Sequence, residues 1–157
     1  MAHGKKHAHK GARLRVVLDT NVYVSAFHFP GGRLAAVWRH ARKGTYEVVV
    51  STAIIRELAR ILRHSFEWDD EEIVAQLKIV ARVATVVTPT TTLRVIADDP
   101  DGDQILACAV ARNAQLIVSG DKDLLQLKEY KGIGIMRPMD FLRTIGEMRS
   151  EIARGKN

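Results

Sequence analysis

The sequence predicts a single α/β domain with a mostly parallel central sheet flanked by helices. Short apolar runs recur at residues 14–18, 46–50, 84–87 and 116–119. Between them lie longer stretches whose apolar residues follow helical spacing, and strands alternating with helices are the mark of a parallel sheet. The length of 157 residues fits one core rather than two.

The elements follow in order. Residues 1–12 (MAHGKKHAHKGA) lack periodicity and bulky apolar side chains, and read as a disordered basic tail. The main domain is expected over 13–146, and a polar C-terminal tail over 147–157. The run at 14–18 is apolar without alternation, as in a strand buried on both faces, and it ends at Asp19. A short helix over 22–27 is broken by Pro30, Gly31 and Gly32. Leu34, Val37, Trp38 and Ala41 predict an amphipathic helix stopped at Gly44. After the strand at 46–50, Ser51 or Thr52 caps a helix carrying Ile54, Ile55, Leu58, Ile61 and Leu62. Asp69 to Glu72 place acids in the first turn of the next helix, which runs to about residue 82. After the strand at 84–87 and an acidic loop at 98–103, a helix is expected over 105–112. A strand at 116–119, a short helix over 124–127, an edge strand at 133–135 and a helix from Pro138 to about residue 145 complete the chain.

Composition narrows the classes. Apolar residues make up 46% and charged residues 27%, as in an ordinary globular protein. No apolar run reaches the ~18 residues of a membrane span. Cys108 is the single cysteine, which rules out an intrachain disulfide and suits a reducing, cytoplasmic setting. The net charge of +6 is compatible with a polyanionic partner. Lys5, Lys6, Lys10 and Arg13 supply part of it, so the body is only mildly basic.

Carboxylates carry the chemistry. Asp19, Asp103 and Asp121 each precede a helical stretch, and each taken alone is explained as a helix cap. Glu57 is not: it falls at the flank of the Ile54, Leu58, Ile61 stripe, and a carboxylate at a core margin needs a partner. Asp98, Asp99, Asp101 and Asp103 crowd into one loop, which calls for solvent or a cation. If these acids converge, hard oxygen ligands select Mg²⁺ or Mn²⁺ over zinc. One or two such ions suit hydrolysis of a phosphodiester. No serine stands in a nucleophile-elbow context.

On VVLDTNVYVSA (16–26), TAIIRELARIL (52–62) and DPDGDQILACAVARNAQLIVSGDKDLL (99–125), in that order, the chain resembles the PIN domain family. These are metal-dependent ribonucleases that include the VapC-like toxins of toxin–antitoxin pairs. The resemblance implies a Rossmann-like sheet and an acidic pocket for Mg²⁺ or Mn²⁺, with Asp19, Glu57, Asp103 and Asp121 as its catalytic acids. Asp101 competes with Asp103 for the loop position, and Asp123 assists as a further metal ligand. Gly102 stands where many relatives carry another acid. Asn21 and Ser119 match small polar positions lining the pocket. Arg33 and Lys122 are assigned to the RNA backbone by their nearness to predicted strand ends, as is Arg137.

The implied activity is endoribonucleolytic hydrolysis of single-stranded RNA. The implied partners are RNA, a cognate antitoxin and a second copy of the chain; apolar faces at 34–38 and 73–80 serve a dimer or the core equally. Two rivals stand beside this reading. A PIN-fold module that only binds RNA or protein should have lost some of the acids. A phosphohydrolase of the haloacid dehalogenase type needs a second aspartate two residues after the first, where this chain has Asn21.

Overall fold

The computed structural model describes residues 13–96 and 99–155. The basic tail expected at 1–12, and Asp98 of the acidic loop, lie outside the described residues. β1 (Arg15–Leu18) leads to α1 (Thr20–His28) and α2 (Ala35–Arg42), then to β2 (Glu47–Ser51). α3 (Thr52–His64) and α4 (Asp70–Val83) precede β3 (Thr85–Val87). α5 (Pro100–Ala111), β4 (Leu116–Val118), α6 (Lys122–Leu127), β5 (Glu129–Tyr130), β6 (Ile133–Met136) and α7 (Pro138–Gly155) follow.

The strands form one sheet in the order β3-β2-β1-β4-β6-β5. All neighbours pair parallel except β5 with β6. Val17 is centred between Val49 on β2 and Ile117 on β4. From β1 the chain builds outward through β2 to β3, then returns to lay β4 on the other side of β1 and continues to β6. The β1–β4 seam is therefore a topological switch point, where helices diverge to opposite faces and leave a crevice beyond the strand ends.

Burial explains the run pattern. Val16, Val17, Leu18, Val48, Val49, Val50, Ile117 and Val118 are covered on both faces. α5 packs on β1, β2 and β4, while α3 packs on β2, α1, α4 and α5. Leu58 and Leu62 of α3 are fully buried, and cutting Leu58 to alanine costs about 2–5 kcal/mol. Helix starts follow their caps. Ser51 Oγ accepts from the Ile54 N–H at 3.1 Å. Asp69 and Glu72 close a reciprocal capping box. Gly44, at φ +79°, takes the left-handed conformation that ends α2.

Tyr46 donates to the Val37 carbonyl at 2.7 Å and stands edge-on to Phe141, tying α2 and α7 together. Glu47 shows what a structural carboxylate looks like in this fold. It is buried and accepts from Arg112 Nε at 3.1 Å and Thr85 Oγ1 at 2.9 Å. The apolar faces at 34–38 and 73–80 go largely into the core, with Val37, Trp38, Ile73 and Val80 all buried.

Three expectations change. α5 begins at Pro100 rather than 105, because Asp99 caps it and Pro100 occupies its first turn. The strand at Ile133–Met136 is interior, and the edge is the two-residue strand β5, too short to carry a period. α7 continues to Gly155, through the segment read as a polar tail. In that segment Met148 and Ile152 continue the spacing of Phe141 and Ile145 at i+7 and i+11, and its Glu, Met, Arg and Ala residues favour helix.

Candidate metal centre

The site forms at the β1–β4 seam. The Asp19 N–H donates to the Val118 carbonyl at 2.9 Å, extending the ladder one residue past β1. Asp19 therefore emerges on rigid backbone. By position it is the N-cap of α1, yet its side chain makes no cap hydrogen bond. Instead Ser119 Oγ donates to Asp19 Oδ2 at 2.6 Å, and the same Oγ accepts from the Asp121 N–H at 2.9 Å. Ser119 is wholly buried and Asp19 is 9% exposed. One hydroxyl thus fixes the first acid and the turn that delivers the next. Asp121 caps α6, accepting from the Asp123 N–H at 2.9 Å, which sets Asp121 and Asp123 side by side.

The start of α5 supplies the opposite wall. Asp99 Oδ1 accepts from the Gly102 N–H at 3.1 Å, while its Oδ2 is buried and has no hydrogen-bond partner. Asp101 and Asp103 lie two residues apart on this helix, so their side chains point in different directions. Asp103 Oδ1 accepts from the Val95 and Ile96 N–H groups, both at 2.9 Å. That carboxylate holds the preceding loop against the helix. Asp101 instead sits in the field of Glu57, Asp99, Arg60 and Asp121. Helix geometry thus sets Asp99 and Asp101 among the other acids, while Asp103 Oδ1 is taken by backbone N–H groups. Asp99 was legible only as one acid in a loop. The Asp99-Pro100 pair is a helix-start signal that would have singled it out.

Gly102 has a specific reason here. A Cβ on it would lie 2.7 Å from Asp99 Oδ2 and 2.9 Å from Ile96 Cδ1, so glycine makes the room that the Asp99 carboxylate occupies.

Glu57 reaches in from α3 with 19% of its side chain exposed. Its partner is Arg60, whose Nε and Nη2 donate to Oε1 and Oε2 at 3.0 and 2.7 Å. The i+3 neighbour bends back to the carboxylate, a spacing that faces it on a helix.

Charge repulsion and burial mark the centre. Burial raises the Asp19 carboxyl, Ser119 and the Asn21 N–H pull it down, and Asp121 raises it again. Burial also raises Asp101, reinforced by Glu57 and Asp99. Among the described residues, Asp99, Asp121 and Asp123 offer carboxylate oxygens all within 4.8 Å of one another. Like charges held this close, with a buried and unpartnered Asp99 oxygen, are the condition a cation relieves. The donors are all hard oxygens, so the set fits Mg²⁺ or Mn²⁺. Asn21, Arg33 and Lys122 are exposed, Lys122 standing between Asp121 and Asp123. His28 is spent elsewhere: its Nδ1 accepts from Trp68 Nε1 at 3.3 Å, and its ring packs on Phe66.

Comparison with known proteins follows the same outline. A family profile described as PIN domain matches residues 15–123, which takes in every acid of the centre. The uncharacterized protein MJ1680 of Methanocaldococcus jannaschii is 27% identical over 122 residues, covering 74% of this chain and 77% of that protein. Among solved structures, VapBC2 from Rickettsia felis bound to a DNA fragment from its promoter aligns with a TM-score of 0.57 at 15% identity. That alignment covers 79% of this chain and 98% of the other. PAE2754 from Pyrobaculum aerophilum aligns with a TM-score of 0.55 at 16% identity, covering 93% and 99%.

Proposed function

The chain belongs to the PIN domain family, a family of nucleases, and from that premise we propose that it is a Mg²⁺- or Mn²⁺-dependent endoribonuclease acting on single-stranded RNA. The observation that carries the reading is the convergence of Asp99, Asp121 and Asp123 beside Asp19, with one Asp99 oxygen buried and unpartnered. Asp19, Asp99, Asp101, Asp121 and Asp123 would hold one or two ions, with Glu57 at the margin. Asp103 holds its loop. A bound divalent ion supplies charge neutralisation at the phosphodiester and lowers the pKa of water.

The chain's own residues do the rest. Ser119 fixes the rotamer of Asp19 and, through the Asp121 N–H, the entry to α6. One of these carboxylates would accept a proton from attacking water. Lys122 and Arg33 meet the RNA backbone as point charges, and Asn21 offers an amide at the mouth. The likeness to the VapBC2 complex favours a partner protein, and we extend this to a toxin role with a cognate antitoxin, a homodimer and a cytoplasmic setting. Among the described residues no helix is long and apolar enough to cross a membrane.

The test is labelled single-stranded RNA incubated with Mn²⁺, with EDTA, and with Asp19→Asn. Cleavage is expected with Mn²⁺ alone. Cleavage surviving EDTA or the substitution sinks the metal mechanism, and binding without any cleavage moves the reading to a non-catalytic module. Growth arrest on expression, relieved by an adjacent reading frame, tests the toxin role.

A further inference from the structure

A cavity of about 610 Å³ opens between the start of α3 and the segment at 88–96, and shares Asp99 as a wall with the metal centre. Its size lies within the ~300–1,000 Å³ of ordinary small-molecule pockets. We propose that this cavity is a base-binding subsite, which takes one unpaired nucleobase of the RNA next to the phosphate being cut. The proposal rests on the ribonuclease reading above and adds to it a source of sequence preference.

Three features of the lining carry it. Leu93, Ile96 and Ala107 give apolar surface on which a flat base can pack. Thr91 and Thr92 add hydroxyls that both donate and accept, as the mixed edge of a base requires. Arg56 and Arg94 also line the cavity and are exposed. Elsewhere Arg60, Arg63, Arg112 and Arg143 are each paired with a carboxylate. Arg56 and Arg94 make no ion pair among the described residues, which leaves two guanidinium groups for phosphate oxygens.

The order of charge suits a nucleotide rather than an acidic peptide. Asp99 stands on the side of the metal centre, where a metal-bound phosphate belongs; the other acid of the lining, Asp103, has its Oδ1 taken by the Val95 and Ile96 N–H groups, and Arg56 and Arg94 are the cations for the next phosphate. A base inside a duplex cannot enter without unpairing, so the subsite selects single strands.

The test uses the full chain carrying Asp19→Asn, so that bound RNA stays intact, and fluorescein-labelled short single-stranded RNAs of each homopolymer. Ala107→Leu fills the cavity and Arg94→Gln removes an exposed charge without touching the core. Each is expected to weaken binding of the preferred homopolymer roughly tenfold, the scale of one stacked base. A 4-thiouridine in that RNA should cross-link to the segment at 88–96. Unchanged binding in both variants, or cross-links only elsewhere, overturns the subsite. So does loss of a co-purifying protein in Ala107→Leu with RNA affinity intact, which would assign the cavity to a protein partner. The two readings fail separately. Wild-type acids that cut RNA equally well with Ala107→Leu and Arg94→Gln leave the nuclease standing and remove the subsite. Cavity-dependent RNA binding with no cleavage in Mn²⁺ does the reverse.

Discussion

Ser119 and Asp19 are 100 residues apart in the chain and 2.6 Å apart in the fold, hydroxyl to carboxylate across the β1–β4 seam. The hydroxyl is the strongest influence holding down a carboxyl that burial pushes up. Ser119→Ala should lower Mn²⁺-dependent cleavage by roughly 10- to 100-fold, the usual cost of losing a residue that orients a ligand. It should also move the acid limb of the pH–rate profile upward. A loss of rate with an unmoved limb would assign Ser119 to packing alone.

Asp101 and Asp103 should separate cleanly. Asp103→Ala removes the acceptor of two N–H groups at 95 and 96, one exposed and one half-buried, at about 1 kcal/mol, visible as a lower urea midpoint. Asp101→Asn should leave that midpoint nearly unchanged and weaken Mn²⁺ binding in calorimetry. If Asp103→Ala instead abolishes ion binding at full stability, the loop ligand is Asp103.

Gly102→Ala sets two effects against each other. Alanine favours a helix over glycine by about 1 kcal/mol, so global stability should hold. The added Cβ, 2.7 Å from Asp99 Oδ2, must push that carboxylate aside, so ion affinity should fall. Equal affinity in the variant would show that Asp99 contributes no ligand.

The metal-free chain should lose stability as pH rises. Asp19 has a folded pKa above its ordinary value of 3.8, so between those values the native state holds more protons than the unfolded chain. The slope of stability with pH is then negative, and it vanishes above the folded pKa, where the full penalty is felt. Thermal midpoints in EDTA should climb as pH falls through the folded pKa of Asp19 toward 3.8, until the carboxylates that cap helices and pair elsewhere begin to protonate. Asp19→Asn should flatten the climb. Added Mg²⁺ should stabilise more at higher pH, because ion and proton compete for the same oxygens. A midpoint that follows the same course in Asp19→Asn would locate the effect in another group.

Arg60 holds Glu57 through two hydrogen bonds and feels Asp101. Arg60→Gln should tighten Mn²⁺ binding several-fold by removing a competing cation. Weaker binding would mean that Arg60 positions Glu57 for the ion rather than competing with it.

The sequence by itself determined the strands at 15–18, 47–51 and 116–118, because parallel strands buried on both faces read as unbroken apolar runs, and the edge strand at 85–87 showed as a short β-branched run. Caps and stops were equally local: Ser51, Asp69 and Gly44 act within one turn of where they stand. The family resemblance named Asp19 and Asp121, which the ends of β1 and β4 carry, and Glu57, which sits mid-way along α3. Only the tertiary structure decided the rest. The start of α5 at Pro100 turned Asp101 toward the acids and Asp103 toward the loop. The β4 seam gave Asp19 its partner Ser119, and the cavity joined α3 to the segment at 88–96. The physical reason is range. Periodicity and capping are set by neighbours within a turn, whereas convergence of carboxylates from β1, α3, α5 and the end of β4 depends on sheet order, which no local window contains.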